Sequence, residues 1–273
     1  VGYANRVGKY LTVFKIGLAD RFAYRANFFL GTLMRLVPFV TVVFFWNAAM
    51  ENAVEGAFGH YSSRTIVGYF ILIFLARAFS SMPGLSRAIS EDVREGGLNK
   101  FLVRPIDYPL YQLLLRAAHK GVYLVTMGIP FGLFVFLMSD YFPGFPDPLR
   151  LAVGVAALVL AFVIGFHLTL LLGMLSFWFL EVTTFLFVIE LIEFFLSGHM
   201  IPLDLLPSAI VVWIDRLPFA YMAYFPAAVL LGGIPDDELV PRLLVGVGWA
   251  TAIWFACRMV YRAGLRRYSA YGG

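Results

Sequence analysis

This chain of 273 residues has few of the residues that soluble chemistry most often uses. Its one cysteine, Cys257, excludes an internal disulfide and cannot alone make a zinc site. Its four histidines, His60, His119, His167 and His199, lie in different segments without ligand spacing. Lysine is as scarce: Lys9, Lys15, Lys100 and Lys120. None sits in a G-x-x-x-x-G-K-[ST] loop, so the chain cannot cradle a nucleoside triphosphate in that way. G-x-G-x-x-G, H-E-x-x-H and G-x-S-x-G do not occur. Ser197-Gly198-His199 sets a serine near a histidine, but no third group is there to orient them. Charge is thin as well, at 14% of residues against 61% hydrophobic, far from an ordinary soluble domain. The net charge of +4 has no soluble domain to gather it into a nucleic-acid surface, so no nucleic-acid partner is expected.

What the chain has is long apolar runs, at residues 26–50, 65–82, 111–138, 149–177, 182–199 and 239–261. Each is near the ~20 residues a helix needs to cross hydrocarbon. Continuous runs of this length are helices rather than barrel strands. The expected fold class is an all-α polytopic membrane protein with six transmembrane helices.

Basic residues set the orientation. Arg6, Lys9, Lys15, Arg21 and Arg25 precede the first run against Asp20 alone. Arg87, Arg94, Lys100, Arg104, Arg116 and Lys120 follow the second, and Arg258, Arg262, Arg266 and Arg267 end the chain. The intervening loops carry Glu51 and Glu55, then Asp140 and Asp147, then Asp204, Asp215, Asp236, Asp237 and Glu238. With a short turn near Glu181, both termini are expected in the cytoplasm. The charged first 25 residues do not read as a cleavable signal peptide.

Three further segments stand out. Tyr3, Val7, Tyr10, Phe14 and Leu18 recur at helical spacing, with Arg6, Lys9 and Lys15 mostly off that stripe. This predicts an amphipathic helix at the inner leaflet surface, in contact with membrane lipid. Within residues 84–107, Ser90 followed by Glu91 and Asp92 predicts a helix start, Gly96-Gly97 a stop and Arg104-Pro105 a turn. So large a charged element suits docking of a soluble partner. Residues 200–235 are apolar yet cut by Pro202, Pro207, Pro218, Pro226 and Pro235. Pieces of ~8–14 residues cannot span, and predict outer re-entrant or interfacial helices, with Trp213, Tyr221 and Tyr224 at headgroup level. Gly128 and Gly132 flank Pro130, which predicts close helix packing or a kink.

Ionisable groups within the runs are the candidate site residues. Arg35 lies in the first, and Glu190 and Glu193 share one face of the fifth. Charge at that depth costs ~2.5 kcal/mol or more and usually faces protein or a water-filled path. Arg35 and Glu190 fall at similar depths, about 14 and 12 Å into their runs, so a pair is expected. It would either hold two helices together or meet substrate or protons. Arg77, Arg116 and Glu181 are expected to snorkel at the inner interface. Acids with aromatics such as Phe44, Phe45, Trp46, Phe185 and Phe187 would suit a hydrophobic cation; a lipid-linked or peptide substrate fits almost as well.

Several stretches together resemble one family. Residues 91–105, EDVREGGLNKFLVRP, resemble the cytoplasmic loop of type-2 (ABC-2) ATP-binding-cassette transporter permeases. Residues 196–207, LSGHMIPLDLLP, are similar to the segment after their fifth helix, as are Leu217-Pro218-Phe219, Pro226 and Gly232-Gly233. Residues 23–28, AYRANF, resemble the start of a subgroup of uncharacterised permease components. The resemblance implies an ABC-2, or type V exporter-like, six-helix half-transporter. It makes residues 1–25 a cytoplasmic connecting helix, 26–262 the membrane domain and 263–273 a tail. It makes Glu91, Asp92, Arg94, Glu95, Gly96 and Leu98 an ATPase-coupling region. It implies separate ABC ATPase subunits that bind ATP and Mg, leaving this chain no cofactor and no catalysis of its own. A second six-helix permease, as homodimer or heterodimer, would complete the path in a prokaryotic inner membrane, and the substrate would leave the cytoplasm or inner leaflet. Glu190, Glu193 and Arg35 are the substrate-path candidates. A proton-coupled carrier using Glu190 and Glu193 is the alternative within transport, and a membrane scaffold subunit lies outside it.

Overall fold

The computed structural model describes residues 3–23, 25–51, 61–104, 106–179 and 182–268. In the first two segments, side chains are described at 8–19, 34, 37, 38 and 40–51, and that of Ser63 is outside the description. Every regular element among the described residues is a helix. They are α1 (Tyr3–Ala23), α2 (Arg25–Glu51), α3 (Ser63–Ser80), α4 (Leu85–Arg94), α5 (Asn99–Leu102), α6 (Tyr108–Leu137), α7 (Pro148–Gly173), α8 (Thr183–Leu196), α9 (Ser208–Ile214), α10 (Tyr224–Leu231) and α11 (Asp236–Arg267), joined by short 3-10 turns. Among the described residues four stretches are long and apolar enough to cross a membrane: Arg64–Arg94, Tyr108–Leu137, Pro148–Phe177 and Asp236–Arg267. The chain is thus a multi-pass helical membrane protein. It forms two compact units, Val1–Thr41 with Leu98–Ser139, and Val42–Gly97 with Asp140–Gly273.

In the first unit α1 packs along α6. The predicted stripe does this work: Tyr10, Phe14 and Leu18 are part-buried, whereas Leu11 and Ile16 are exposed. Gly17 lets the two helices close up, since a Cβ there would lie 3.0 Å from the Ala118 Cβ. The Tyr10 hydroxyl accepts a hydrogen bond from the Asp107 amide at 3.3 Å. Asp107 in turn caps α6 by accepting from the Leu110 amide at 2.9 Å, with Pro109 in the first turn. This cap starts α6 at Tyr108, three residues before the predicted edge. Gly128 and Gly132 look onto open space within this chain, so the close packing expected of them is not made among the described residues.

In the second unit α7 is the hub. It packs against α3, α4, α10 and α11. Arg150 near its start pairs with Asp236 at the start of α11. Cys257 Sγ donates to the His167 carbonyl at 3.1 Å midway, and Gly264 meets the Phe177 ring at the far end. α7 and α11 therefore run parallel along their whole length. α3 runs parallel to α7, and they come closest where Gly165 passes the Ser80 carbonyl. α10 runs back against both, from Tyr224 beside Gly198 to Leu230 and Leu231 beside Gly154 and Gly68. Trp46 of α2 stacks on Phe70 of α3, with centroids 5.0 Å apart.

α8 departs from the sequence reading. The fifth run predicts a spanning helix over 182–199, but α8 has 14 residues and ends at Leu196. At 1.5 Å per residue that is about 21 Å, short of a ~30 Å core. Ser197 and Gly198 turn the chain, Gly198 at φ +82, a conformation that costs a side chain but not glycine. The chain from 197 to 223 then lies beside the first halves of the long helices. Asp204 meets Tyr61 before α3, Trp249 Nε1 donates to the Arg216 carbonyl at 2.7 Å, and Tyr221 packs against Gly246.

Candidate functional site

α4 is built to dock. Leu85, Ile89 and Val93 recur every fourth residue and are buried against α7 and the turn after it. The seat is Gly173, where an added Cβ would fall 2.9 Å from the Ile89 Cβ and 3.1 Å from the Ser86 Cα. This packing begins the helix at Leu85, five residues before the Ser90 start that the sequence predicts. Ser90 is instead buried, its Oγ without a hydrogen-bonding partner among the described residues. The predicted stop is where the sequence puts it, with Gly96 at φ +79. Of the six coupling candidates, Glu91 and Glu95 are exposed, Asp92, Arg94 and Gly96 are part-buried, and Leu98 is buried. Asp92 lies against Gly97, which bolts the stop to the helix. Arg87 is also exposed on the outward face, a residue the coupling reading had not included.

A second cluster forms where α8 ends. The Arg77 side chain leaves α3 toward that end, because helical side chains tilt toward their own N-terminus. Its guanidinium carbon lies 5.3 Å from the Phe194 ring centroid. His199 also lies against that ring, nearly parallel at 18° and 5.2 Å. Arg77 Nη1 is 3.5 Å from His199 Nε2, at the long end of hydrogen-bond range. An arginine only donates, so Nε2 accepts and Nδ1 carries the proton. Nδ1–H then donates to Ser197 Oγ at 2.6 Å, and that hydroxyl is 3.4 Å from the Phe194 carbonyl it can donate to. The chain of donors runs from Arg77 to His199 to Ser197 to backbone. The histidine nitrogen facing Ser197 is the protonated one, so this pair is not set as base and nucleophile. Tyr69 ties the turn from the other side, its buried hydroxyl donating to the Gly198 carbonyl at 2.9 Å.

The carboxylates flank this cluster. Glu193, one turn before Ser197, is part-buried and within electrostatic reach of both Arg77 and Glu190. Glu190 is exposed on an α8 face that also presents Phe187 and Leu191. Arg77 thus turns into the protein instead of snorkelling, because Phe194 and His199 offer a ring face and an acceptor. Glu193, which the sequence leaves without a cation, has one nearby. The expected Arg35–Glu190 pair rests on the Arg35 side chain, which lies outside the described residues, as does Glu181.

Ion pairs fix one end of the second unit. Arg242 binds Asp215 at 2.7 Å and Glu238 at 2.8 Å, which ties the end of α9 to α11. Tyr61 donates to Asp204, its hydroxyl 3.1 and 3.0 Å from the two carboxylate oxygens. Burial and then that carboxylate raise the Tyr61 pKa well above its ordinary value, so the donor keeps its proton.

Four long apolar helices among the described residues, with the amphipathic α4 docked on α7, define a polytopic membrane protein. Residues 36–272 match the family described as ABC-2 family transporter protein, so the chain belongs to that family. No curated protein matches it. Membership makes the chain a transmembrane permease of an ATP-binding-cassette transporter, and implies association with an ABC ATPase.

Proposed function

We propose that this chain is the permease subunit of an ATP-driven exporter that moves a hydrophobic or amphiphilic substrate out of the cytoplasm or inner leaflet. It hydrolyses nothing itself; ATP and Mg sit on partner ATPase subunits. A second six-helix permease completes the path in a prokaryotic inner membrane. α2 and α8 supply the first and fifth membrane elements, α1 lies at the inner surface, and residues 197–235 re-enter from outside. Both termini are cytoplasmic, in keeping with the basic residues of α1, α4 and the end of α11.

The observation that carries this reading is the seat of α4. Its apolar face is fixed on the end of the hub helix, and Arg87, Glu91 and Glu95 face away. A push from an ATPase on that face would pass into α7 as a rigid lever, and from α7 into α3, α10 and α11. Cross-linkers placed at Arg87 or Glu91 should capture an ATPase subunit. Charge reversal by Glu91→Lys with Glu95→Lys should weaken ATPase association roughly tenfold, while the permease still inserts. Substrate movement that continues without any ATPase would overturn the reading in favour of a carrier driven through Glu190 and Glu193.

A further inference from the structure

Arg77 has five N–H donors. Among the described residues its side chain meets one hydrogen-bond acceptor, His199 Nε2, and no carboxylate at ion-pair distance. Glu193 lies one turn away on α8, near enough to feel that charge but not bonded to it. Two opposite charges held apart in a helical membrane protein leave both under-satisfied. A simple anion placed on Arg77 would be repelled by Glu193 and Glu190. A simple cation placed on the glutamates would be repelled by Arg77. A headgroup with both signs meets each demand at once. Phe187 is exposed one turn from Glu190, apolar surface on which an alkyl chain can lie.

We propose that Arg77 and Glu193, brought together where α8 ends, bind the zwitterionic headgroup of an amphiphile. Its phosphate or carboxylate lies on Arg77 and its ammonium on Glu193. Phe194 and the His199–Ser197 relay hold the guanidinium in place and are positioning groups. The proposal leans on the permease reading only for what becomes of the bound molecule, because binding needs no ATPase.

The test uses the full chain purified in a non-ionic maltoside, titrated with three probes fluorescently labelled on an acyl or alkyl chain. They are phosphatidylethanolamine, phosphatidylglycerol and an alkylammonium. The zwitterion should bind about tenfold more tightly than either singly charged probe. Arg77→Gln and Glu193→Gln should each weaken it about tenfold. Arg77→Gln should spare the alkylammonium, and Glu193→Gln should spare phosphatidylglycerol. Arg77→Lys should keep most of the binding, and with Glu193→Gln it carries the test if Arg77→Gln does not fold. Equal affinity for the three probes, or variants that weaken all three alike, would overturn the proposal. Competition by lysophosphatidylethanolamine alone points to a bilayer phospholipid, and by 2-aminododecanoic acid alone to a carboxylate cargo. Competition by both identifies the shared charge pattern, and by neither removes the site. Selective binding by a chain that captures no ATPase would overturn the permease reading and leave the site standing.

Discussion

Ser197 and Gly198 end α8 at buried positions, and the backbone groups they free must find partners inside the protein. Tyr69 supplies one of them, at the Gly198 carbonyl. Replacing it by phenylalanine keeps the ring contacts with Tyr61, Phe70 and Tyr224 but deletes the donor. The Gly198 carbonyl would be left unpaired, at a cost of about 1–3 kcal/mol. Thermal unfolding of Tyr69→Phe in detergent should show a lower midpoint than the parent. An unchanged midpoint would mean that the hydrogen bond does not hold the turn. The same economy explains Arg77, whose part-buried charge a ring, a histidine and a distant carboxylate share.

At the scale of elements, the fit of α4 on α7 depends on one missing side chain. Gly173 admits Ile89 and Ser86 so closely that a methyl group has no room without a shift. Gly173→Ala should therefore destabilise by about 1–3 kcal/mol through overpacking, and should lift α4 from its seat. Limited proteolysis would read this as faster cleavage between α4 and α5. ATPase stimulation by substrate should fall with it, because a loose lever transmits less. Unaltered proteolysis with reduced stimulation would place the defect elsewhere. The element also shows where local signals stop. Gly96 ends α4 wherever the helix begins, since a positive φ is a property of the residue. Its start is not local: Leu85 and Ile89 extend the helix toward Gly84 because α7 is there to bury them.

At the scale of the whole molecule, the alternating loop charges predict that both termini lie on one side. Labelling can test this in a Cys257→Ala background, which removes the one native thiol. Single cysteines at the exposed positions Phe145 and Asp237 should react with an impermeant maleimide added to intact cells. Those at Arg87 and Arg267, also exposed, should react only after the membrane is opened. Outside labelling at Arg87 would invert the topology and remove α4 from reach of a cytoplasmic ATPase.

The membrane class of this protein, the helices α6, α7 and α11, and the sign of each loop were legible in the sequence. Transfer of apolar residues from water is a sum over neighbouring positions, so a window of the chain contains the answer. The same holds for the α1 stripe, whose Tyr10, Phe14 and Leu18 share one helical face whatever they meet. The length of α8 was not legible, because residues 182–199 are apolar throughout and hydropathy does not register a turn made by Ser197 and Gly198. Neither was the partner of Arg77. It stands 122 positions from His199, and nothing in either segment names the other. That meeting follows from the way α3, α7 and α10 pack around Gly165, Gly154 and Gly68, where backbone approach fixes which side chains share a level. Local physics set what each segment is; the tertiary structure decided which charges stand together, because pairing energy belongs to contacts between segments and not to the segments themselves.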